Sequence, residues 1–205
     1  MGLYDKYILP KAINWACKQK STMIQRQKII PSAQGRILEV GIGPGLNLPF
    51  YSKDKVSHLK AIDPSIETWN ENNINLQKLP FDFEFAKAFA ENIPADTNSF
   101  DTVVLTYTLC TIKDTNLALE EIRRVLKLNG KLLFCEHGKA PDLAIQKWQN
   151  RINPLWKIVG GGCNLNKDIP AIINDSGFQI NNIDSMYIPG WKPASFNYWG
   201  SAGIR

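Results

Sequence analysis

The 205 residues of the chain suffice for one domain with a sizeable hydrophobic core and are too few for two comfortable ones. A composition of 44% hydrophobic and 21% charged residues is that of an ordinary globular protein, and no apolar run approaches the roughly 20 residues needed to span a bilayer. The net charge of +5 is concentrated, since residues 1–36 hold seven Lys and Arg against Asp5 alone; this fits a solvated helix face or a docking surface for anionic lipid or an acidic partner, and disfavours nucleic acid, because few aromatics are interleaved with the charge.

The N-terminal stretch MGLYDKYILPKAINWACKQK has no uninterrupted apolar core and no small-residue cleavage site, so no secretory leader is expected in it. Lys6 stands where a myristoylation motif needs Ser or Thr. Ile13, Ala16, Cys17, Met23 and Ile24 recur near helical spacing, which predicts a helix over 9–30 that Pro31 stops. RILEV (36–40) is a short buried-strand run, and LNLPFY (46–51) should open a helical turn. A second strand is expected at 58–63 and a helix at 64–77, with Pro64 near its first turn. Residues 81–86 alternate as a strand, and 100–107 form a stronger one rich in β-branched residues. The clearest helix is 114–130: Asp114 or Thr115 can cap it, Leu117, Leu119, Ile122, Val125 and Leu126 form its stripe, and Gly130 ends it. Residues 131–137 read as a strand, 142–159 as a helix-prone segment interrupted by Pro154, and 167–176 as a short helix ending at Gly177. Residues 178–188 and 195–204 look like a closing pair of strands.

Strands thus alternate with helices up to about residue 136, and two strands then come together. The pattern predicts a single α/β domain over 1–205, with a mostly parallel seven-stranded sheet, an antiparallel C-terminal edge and helices on both faces. Ligands in such sheets bind beyond the carboxyl ends of the strands, near the topological switch point. The glycine-rich loop, Asp63, Thr106 and Glu136 all fall at such ends.

Three glycines, Gly41, Gly43 and Gly45, follow the first strand, so the backbone there is built for close approach. A phosphate-binding GxxxxGK[ST] loop is excluded, because Gly45 is followed by Leu46 and Asn47 and no lysine. The dinucleotide fingerprint GxGxxG needs a glycine at 46, where leucine would crowd the helix and block the pyrophosphate; this argues against an NAD(P)-dependent oxidoreductase. What remains is ExGxGxG from Glu39 to Gly45, with Asp63 at the end of the next strand placed to accept the two hydroxyls of a ribose.

This pattern resembles motif I of the class I S-adenosylmethionine (SAM) methyltransferases. The resemblance implies a Rossmann-like fold, SAM as the methyl donor and a small-molecule acceptor. Glu39, Gly41, Gly43, Gly45, Asp63, Pro64, Ala90, Glu91 and Thr106 are then the expected cofactor-binding residues. SAM carries no phosphate, and its amine and sulfonium are cationic, so a carboxylate such as Glu39 nearby is favourable through water. AENIP (90–94) resembles the adenine-packing segment of ubiquinone/menaquinone C-methyltransferases, with Phe89 where those carry Asp, which leaves the adenine amino contact to backbone or Glu91. RRVLKLNGKLLFCEHG resembles their strand-five motif, with Leu128-Asn129 where Pro-Gly is commoner. TLCTI, EHG, WQNRINPLW and GGCNL resemble a narrower bacterial group described as phospholipid or phosphatidylethanolamine methyltransferase-like, and the mammalian methyltransferase-like thiol S-methyltransferases. Three acceptors compete on this basis: a phospholipid amine, a small thiol and a quinol-like carbon acid. A SAM-binding protein without catalysis, or a regulatory partner of another methyltransferase, is the alternative, against which the intact Glu39, Asp63, Glu136 and glycine loop argue.

Methyl transfer is an in-line displacement in which positioning supplies most of the acceleration, and a base is needed only if the nucleophile carries a proton. Glu136 and His137, ending the fifth strand, are the expected catalytic residues, one of them orienting or deprotonating the acceptor; the alternative is a purely structural role for both. Trp148, Trp156 and Trp191 are either acceptor-pocket lining or core. Gln25 and Arg26 are candidates for the methionine carboxylate, and Tyr4 and Tyr7 with the basic helix (1–31) form either a lid or a helix packed on the sheet edge. Cys17, Cys110, Cys135 and Cys163 lie far apart with no CxxC pair, and His58 and His137 are the only histidines. No metal site and no covalent cysteine relay are therefore expected, and scattered thiols suit a reducing cytoplasm.

Overall fold

The computed structural model describes residues 4–71 and 75–205. Seven strands form one sheet: β1 (Gly35–Val40), β2 (Val56–Asp63), β3 (Asp82–Lys87), β4 (Phe100–Thr106), β5 (Leu126–His137), β6 (Phe178–Tyr187) and β7 (Phe196–Ile204). Their order is β3-β2-β1-β4-β5-β7-β6. The first five run parallel, and β7 pairs antiparallel with both β5 and β6. The order reverses between β1 and β4, so the crevice at their carboxyl ends is the switch point.

Both sheet faces are covered, which is why β1 and β4 read as continuous apolar runs. Leu38, Val103, Leu105 and Phe134 pack on one face against Leu119 and Ile122 of α4 (Thr115–Val125) and Ile173 of α6 (Ile169–Asp175). Ile37, Leu59, Val104 and Leu133 pack on the other face against Ile29 and Ile30, at the end of α2 (Lys20–Ile29), and against Trp69 of α3 (Ile66–Trp69).

Four local readings are corrected. The expected helix 9–30 is two helices, α1 (Leu9–Cys17) and α2, because Gln19 adopts an extended backbone, φ −57° and ψ 141°. That break lets α2 bury the polar Gln25 and Arg26 beneath the sheet's ligand end. The expected helix 64–77 is only α3 followed by a 3-10 turn at Leu76–Lys78; residues 72–74 of that expectation lie outside the described residues. Stacking of Trp69 on Phe83 and Phe85, at centroid distances of 5.6 and 4.8 Å, fixes α3 on the sheet, and the Asn-rich stretch beyond it favours turns over helix. Leu126–Gly130, read as the end of a helix, opens β5, because Leu126 is fully buried in register with Phe100. Tertiary pairing wins over helical propensity there. Finally, α5 (Leu143–Val159) runs through Pro154, which omits only the bond to the Asn150 carbonyl.

Candidate active site

The loop leaving β1 opens on left-handed backbone at Gly41 (φ +75°) and Gly43 (φ +54°). The two glycines serve different ends. A Cβ at Gly41 would run into the side chain of Thr108, just beyond β4. At Gly43 the nearest atom would be Thr68 Cγ2, 3.8 Å away, so this peptide is open to an incoming group. The Gly43 amide donates to Asp63 Oδ2 at 2.9 Å and the Ser65 amide to Oδ1 at 2.8 Å. Burial pushes the Asp63 pKa up, and these two bonds pull it back. Each carboxylate oxygen keeps a lone pair for a ribose hydroxyl.

Glu39 lies beneath the loop and is 1% exposed. Its Oε1 accepts from Asn47 Nδ2 at 2.9 Å and its Oε2 from the Tyr51 hydroxyl at 2.7 Å. Burial pushes its pKa up to about 7, against the pull of those two donors and of Arg26. The structure thus makes Glu39 the anchor of the loop's own side chains. Asn47 also donates to Thr106 Oγ1 at 2.9 Å, and Arg26 NH1 donates to Asn47 Oδ1 at 2.9 Å and to Thr106 Oγ1 at 2.6 Å. Arg26 is buried, its guanidinium is 5.0 Å from the Tyr107 ring centroid, and its Nε has no partner among the described residues. An orphaned cationic donor at the switch point suits the carboxylate of an amino-acid moiety. Gln25 Oε1 is likewise buried without a partner among the described residues.

The other end of the site is assembled from distant segments. Tyr107, after β4, holds φ +55°, an uncommon conformation for a residue with a side chain. Its hydroxyl donates to Asn197 Oδ1 at 2.7 Å, and its ring stacks on His137 at 6.4 Å. Glu136 is fully buried; its Oε1 accepts the Thr108 and Leu109 amides at 2.8 and 3.1 Å, and its Oε2 has no partner among the described residues. Burial pushes the Glu136 pKa up to about 7, against the two amides. His137 Nε2 is 3.3 Å from Cys163 Sγ. The neighbouring Cys110 thiol and the His137 imidazole hold Cys163 well below the ordinary thiol range, and the hydrogen bond to Cys163 together with burial pushes Cys110 up. Burial lowers the His137 pKa, but Cys163 and Glu136 more than offset it.

Gln149, on α5 and fully buried, locks this end together. Its Oε1 accepts the Ala140 amide at 3.0 Å, and its Nε2 reaches the carbonyls of Gly138, Leu165 and Pro193 at 2.9–3.0 Å. Lys167 Nζ donates to the Leu109 and Ile112 carbonyls at 2.7 and 2.8 Å.

Among the remaining residues singled out in the sequence, Pro64 is exposed and Ala90 is buried. Glu91 Oε1 accepts the Asp114 amide at 3.4 Å, and Phe89 beside it is 64% exposed. Trp156 packs on Trp191 at 5.3 Å and stands beside Cys163, whereas Trp148 is exposed on α5. The Tyr4 hydroxyl donates to the Val159 carbonyl at 2.6 Å, which ties the N-terminal segment to the end of α5. Sequence reasoning missed Asn47, Tyr51 and Gln149. It also missed the convergence of Cys110, His137 and Cys163, whose ligand atoms all lie within 4.8 Å of one another. Only the LNLPFY turn after the glycine loop signalled the first pair.

An open glycine loop, an acid on the next strand and no phosphate-binding lysine define a fold that takes a phosphate-free nucleoside at its switch point. The family model that matches, described as a methyltransferase domain, covers residues 38–134. The chain is 30% identical over 182 residues to thiol S-methyltransferase TMT1A of Homo sapiens, covering 84% of this chain and 72% of that protein. It is also 30% identical to thiol S-methyltransferase TMT1B of Rattus norvegicus over 79% of this chain, and spans 65% of that relative's length. A solved SAM-dependent methyltransferase of Thermotoga maritima, titled a possible histamine N-methyltransferase, superposes with a TM-score of 0.67 at 16% identity, covering 98% of each chain. The chain belongs to the class I SAM-dependent methyltransferases, and SAM is its methyl donor. Among the described residues, no helix is long and apolar enough to cross a membrane.

Proposed function

We propose that the acceptor is a small apolar or amphipathic thiol, methylated on sulfur. The observation that carries this reading is the pairing of His137 with Cys163 at 3.3 Å. The acceptor end already holds one sulfur well below the ordinary thiol range beside an imidazole. A thiol is protonated at neutral pH, so a site that favours thiolate removes the main obstacle to its attack. The mammalian relatives named for thiol S-methylation support the same reading.

Bound SAM supplies an electrophilic methyl on a sulfonium sulfur. The chain's residues do the rest. Asp63 and the open Gly43 peptide hold the ribose edge, Arg26 meets the methionine carboxylate, and the segment 88–91 flanks the base. Glu39, through Asn47 and Tyr51, keeps the loop in shape, and Glu136 fixes the Thr108–Leu109 backbone against Gly41. His137 orients the acceptor sulfur, whose proton leaves to solvent. Trp156 and Trp191 form an apolar wall, and the N-terminal segment, tied to the end of α5 through Tyr4, serves as the lid.

An amphipathic acceptor can be delivered from a membrane surface. Exposed Trp15 (71%), Leu155 (68%) and Ile158 (74%) lie on α1 and α5 with Lys11 and Lys157, a mix that suits peripheral contact with anionic lipid. Co-sedimentation with anionic vesicles at low salt is the expected result, and no binding removes this part of the reading. The acceptor itself is tested by transfer of labelled methyl from SAM into a panel of alkyl and aryl thiols, phospholipid amines and quinols. Incorporation into thiols is expected. Label only in an amine or a quinol overturns the thiol reading, and label in none of the three points to a SAM-binding protein without catalysis.

A further inference from the structure

We infer that Cys110, His137 and Cys163 form a binding site for one soft divalent cation, Zn²⁺ by its donor set. Three elements bring them together: the loop after β4, the end of β5 and the loop after α5. Their ligand atoms lie within 4.8 Å of one another, with His137 Nε2 and Cys163 Sγ at 3.3 Å. Tetrahedral zinc, with bonds of about 2.3 Å to sulfur and about 2.0 Å to nitrogen, sets its donors about 3.5–3.8 Å apart. The observed triangle reaches that size by small side-chain rotations. Two thiolates and an imidazole exclude magnesium and calcium, which take oxygen ligands.

The surroundings favour a cation independently of the triangle. Glu136 Oε2, beside His137, is buried and has no partner among the described residues. Lys167 also faces the cluster, but its ammonium is committed to the Leu109 and Ile112 carbonyls. The backbone around the ligands is rigidly held: Asn164 Nδ2 donates to the Cys110 carbonyl at 2.9 Å, and the Asn164 amide reaches the same carbonyl at 2.9 Å. Loops prepared in this way bring a metal little reorganisation cost.

Three protein ligands leave the fourth tetrahedral position open, as in catalytic rather than structural zinc sites. A thiol taking that position would release its proton to solvent and bind as thiolate; this clause rests on the acceptor reading proposed above, whereas the metal site does not. Cys17, on whose thiol Arg26 and Cys163 act, is the further cysteine to test as a competitor for the position.

The test uses the full chain in a phosphine reductant, free of added thiols. Zinc content per chain and, after Co²⁺ exchange, thiolate-to-cobalt charge-transfer absorption are measured. One metal per chain with that absorption is expected in the wild type and in Cys17→Ser, and its loss is expected in Cys110→Ser, Cys163→Ser and His137→Ala variants that keep SAM binding. Folded wild type that takes up no metal and shows no charge-transfer band overturns the site, whatever the variants do. Loss of the metal in Cys17→Ser overturns the open fourth position. Adding an alkanethiol should shift the cobalt d–d bands, and unchanged bands overturn the thiol's coordination. Thiol methylation by metal-free enzyme overturns the metal's part in activating the thiol and leaves the acceptor reading standing; cobalt binding without thiol turnover leaves the site standing and overturns the acceptor reading.

Discussion

The two ends of the crevice are built in opposite ways. The donor end is mostly local: Glu39, Gly43, Asn47, Tyr51 and Asp63 fall within one β-loop-β segment, and Arg26 and Thr106 reach it from elsewhere. The acceptor end is assembled from residues near 107, 137, 149, 163 and 197, on five separate segments. Local construction makes a site whose shape survives small rearrangements of the fold. Distant assembly makes one whose geometry depends on α5 and the loop after it, so a change there alters which acceptor fits without touching the donor.

The comparison can be broken one end at a time. The largest effect is expected for His137→Ala. Turnover should fall by about 10²-fold or more, the scale of losing the group that places a reacting atom, while SAM affinity measured by calorimetry stays unchanged. A parallel loss of SAM affinity would mean that the two ends are not separable. Gln149→Ala leaves one amide and three carbonyls short of their buried partner. A loss of about 3 kcal/mol is expected in denaturant unfolding, with the acceptor KM rising more than the Kd for SAM. Asp63→Ala should do the reverse. SAM affinity drops about 30-fold, or about 2 kcal/mol, through lost charge-assisted bonds, and kcat at saturating SAM changes little.

The smallest and most specific change is Glu39→Gln. The folded pKa of Glu39 lies near 7, above its ordinary 4.5, so its burial favours the protonated form. Its contribution to stability is therefore greatest below 4.5 and falls as pH rises to about 7. Each pH unit in that window costs at most about 1.4 kcal/mol. Unfolding at about pH 5 and about pH 8 should show a flatter pH dependence for Glu39→Gln than for wild type. Equal slopes would mean that Glu39 titrates normally in the folded chain.

This division also decides what the sequence made legible. The donor end could be read because its residues lie close along the chain, so spacing carries geometry: ExGxGxG followed by Asp63 is nearly a description of the site. Even so, Glu39 was expected to face SAM through water, and the structure turns it inward onto Asn47 and Tyr51. Spacing fixes where a carboxylate emerges, not which side of the loop it serves. The sheet was legible from the alternation of strands and helices, and its errors sit where tertiary pairing overrides local preference, as at Leu126. The acceptor end was legible only as isolated residues. Cys110, His137 and Cys163 are separated by more than twenty residues each. Nothing in their spacing indicates that α5 returns its C-terminal loop to the end of β5.

Gly41 gives the motif a second meaning. A Cβ there would strike Thr108, a residue of the acceptor end, so the first glycine of a donor-binding signature is also a steric record of its neighbour across the crevice. Positions 41 and 108 should then vary as a pair. An alanine at 41 would be tolerated best where 108 has shrunk to glycine, leaving only the cost of its left-handed backbone, about 1 kcal/mol. In an evolving lineage, loss of that glycine need not mean loss of the donor; it can mark a remodelled wall on the other side.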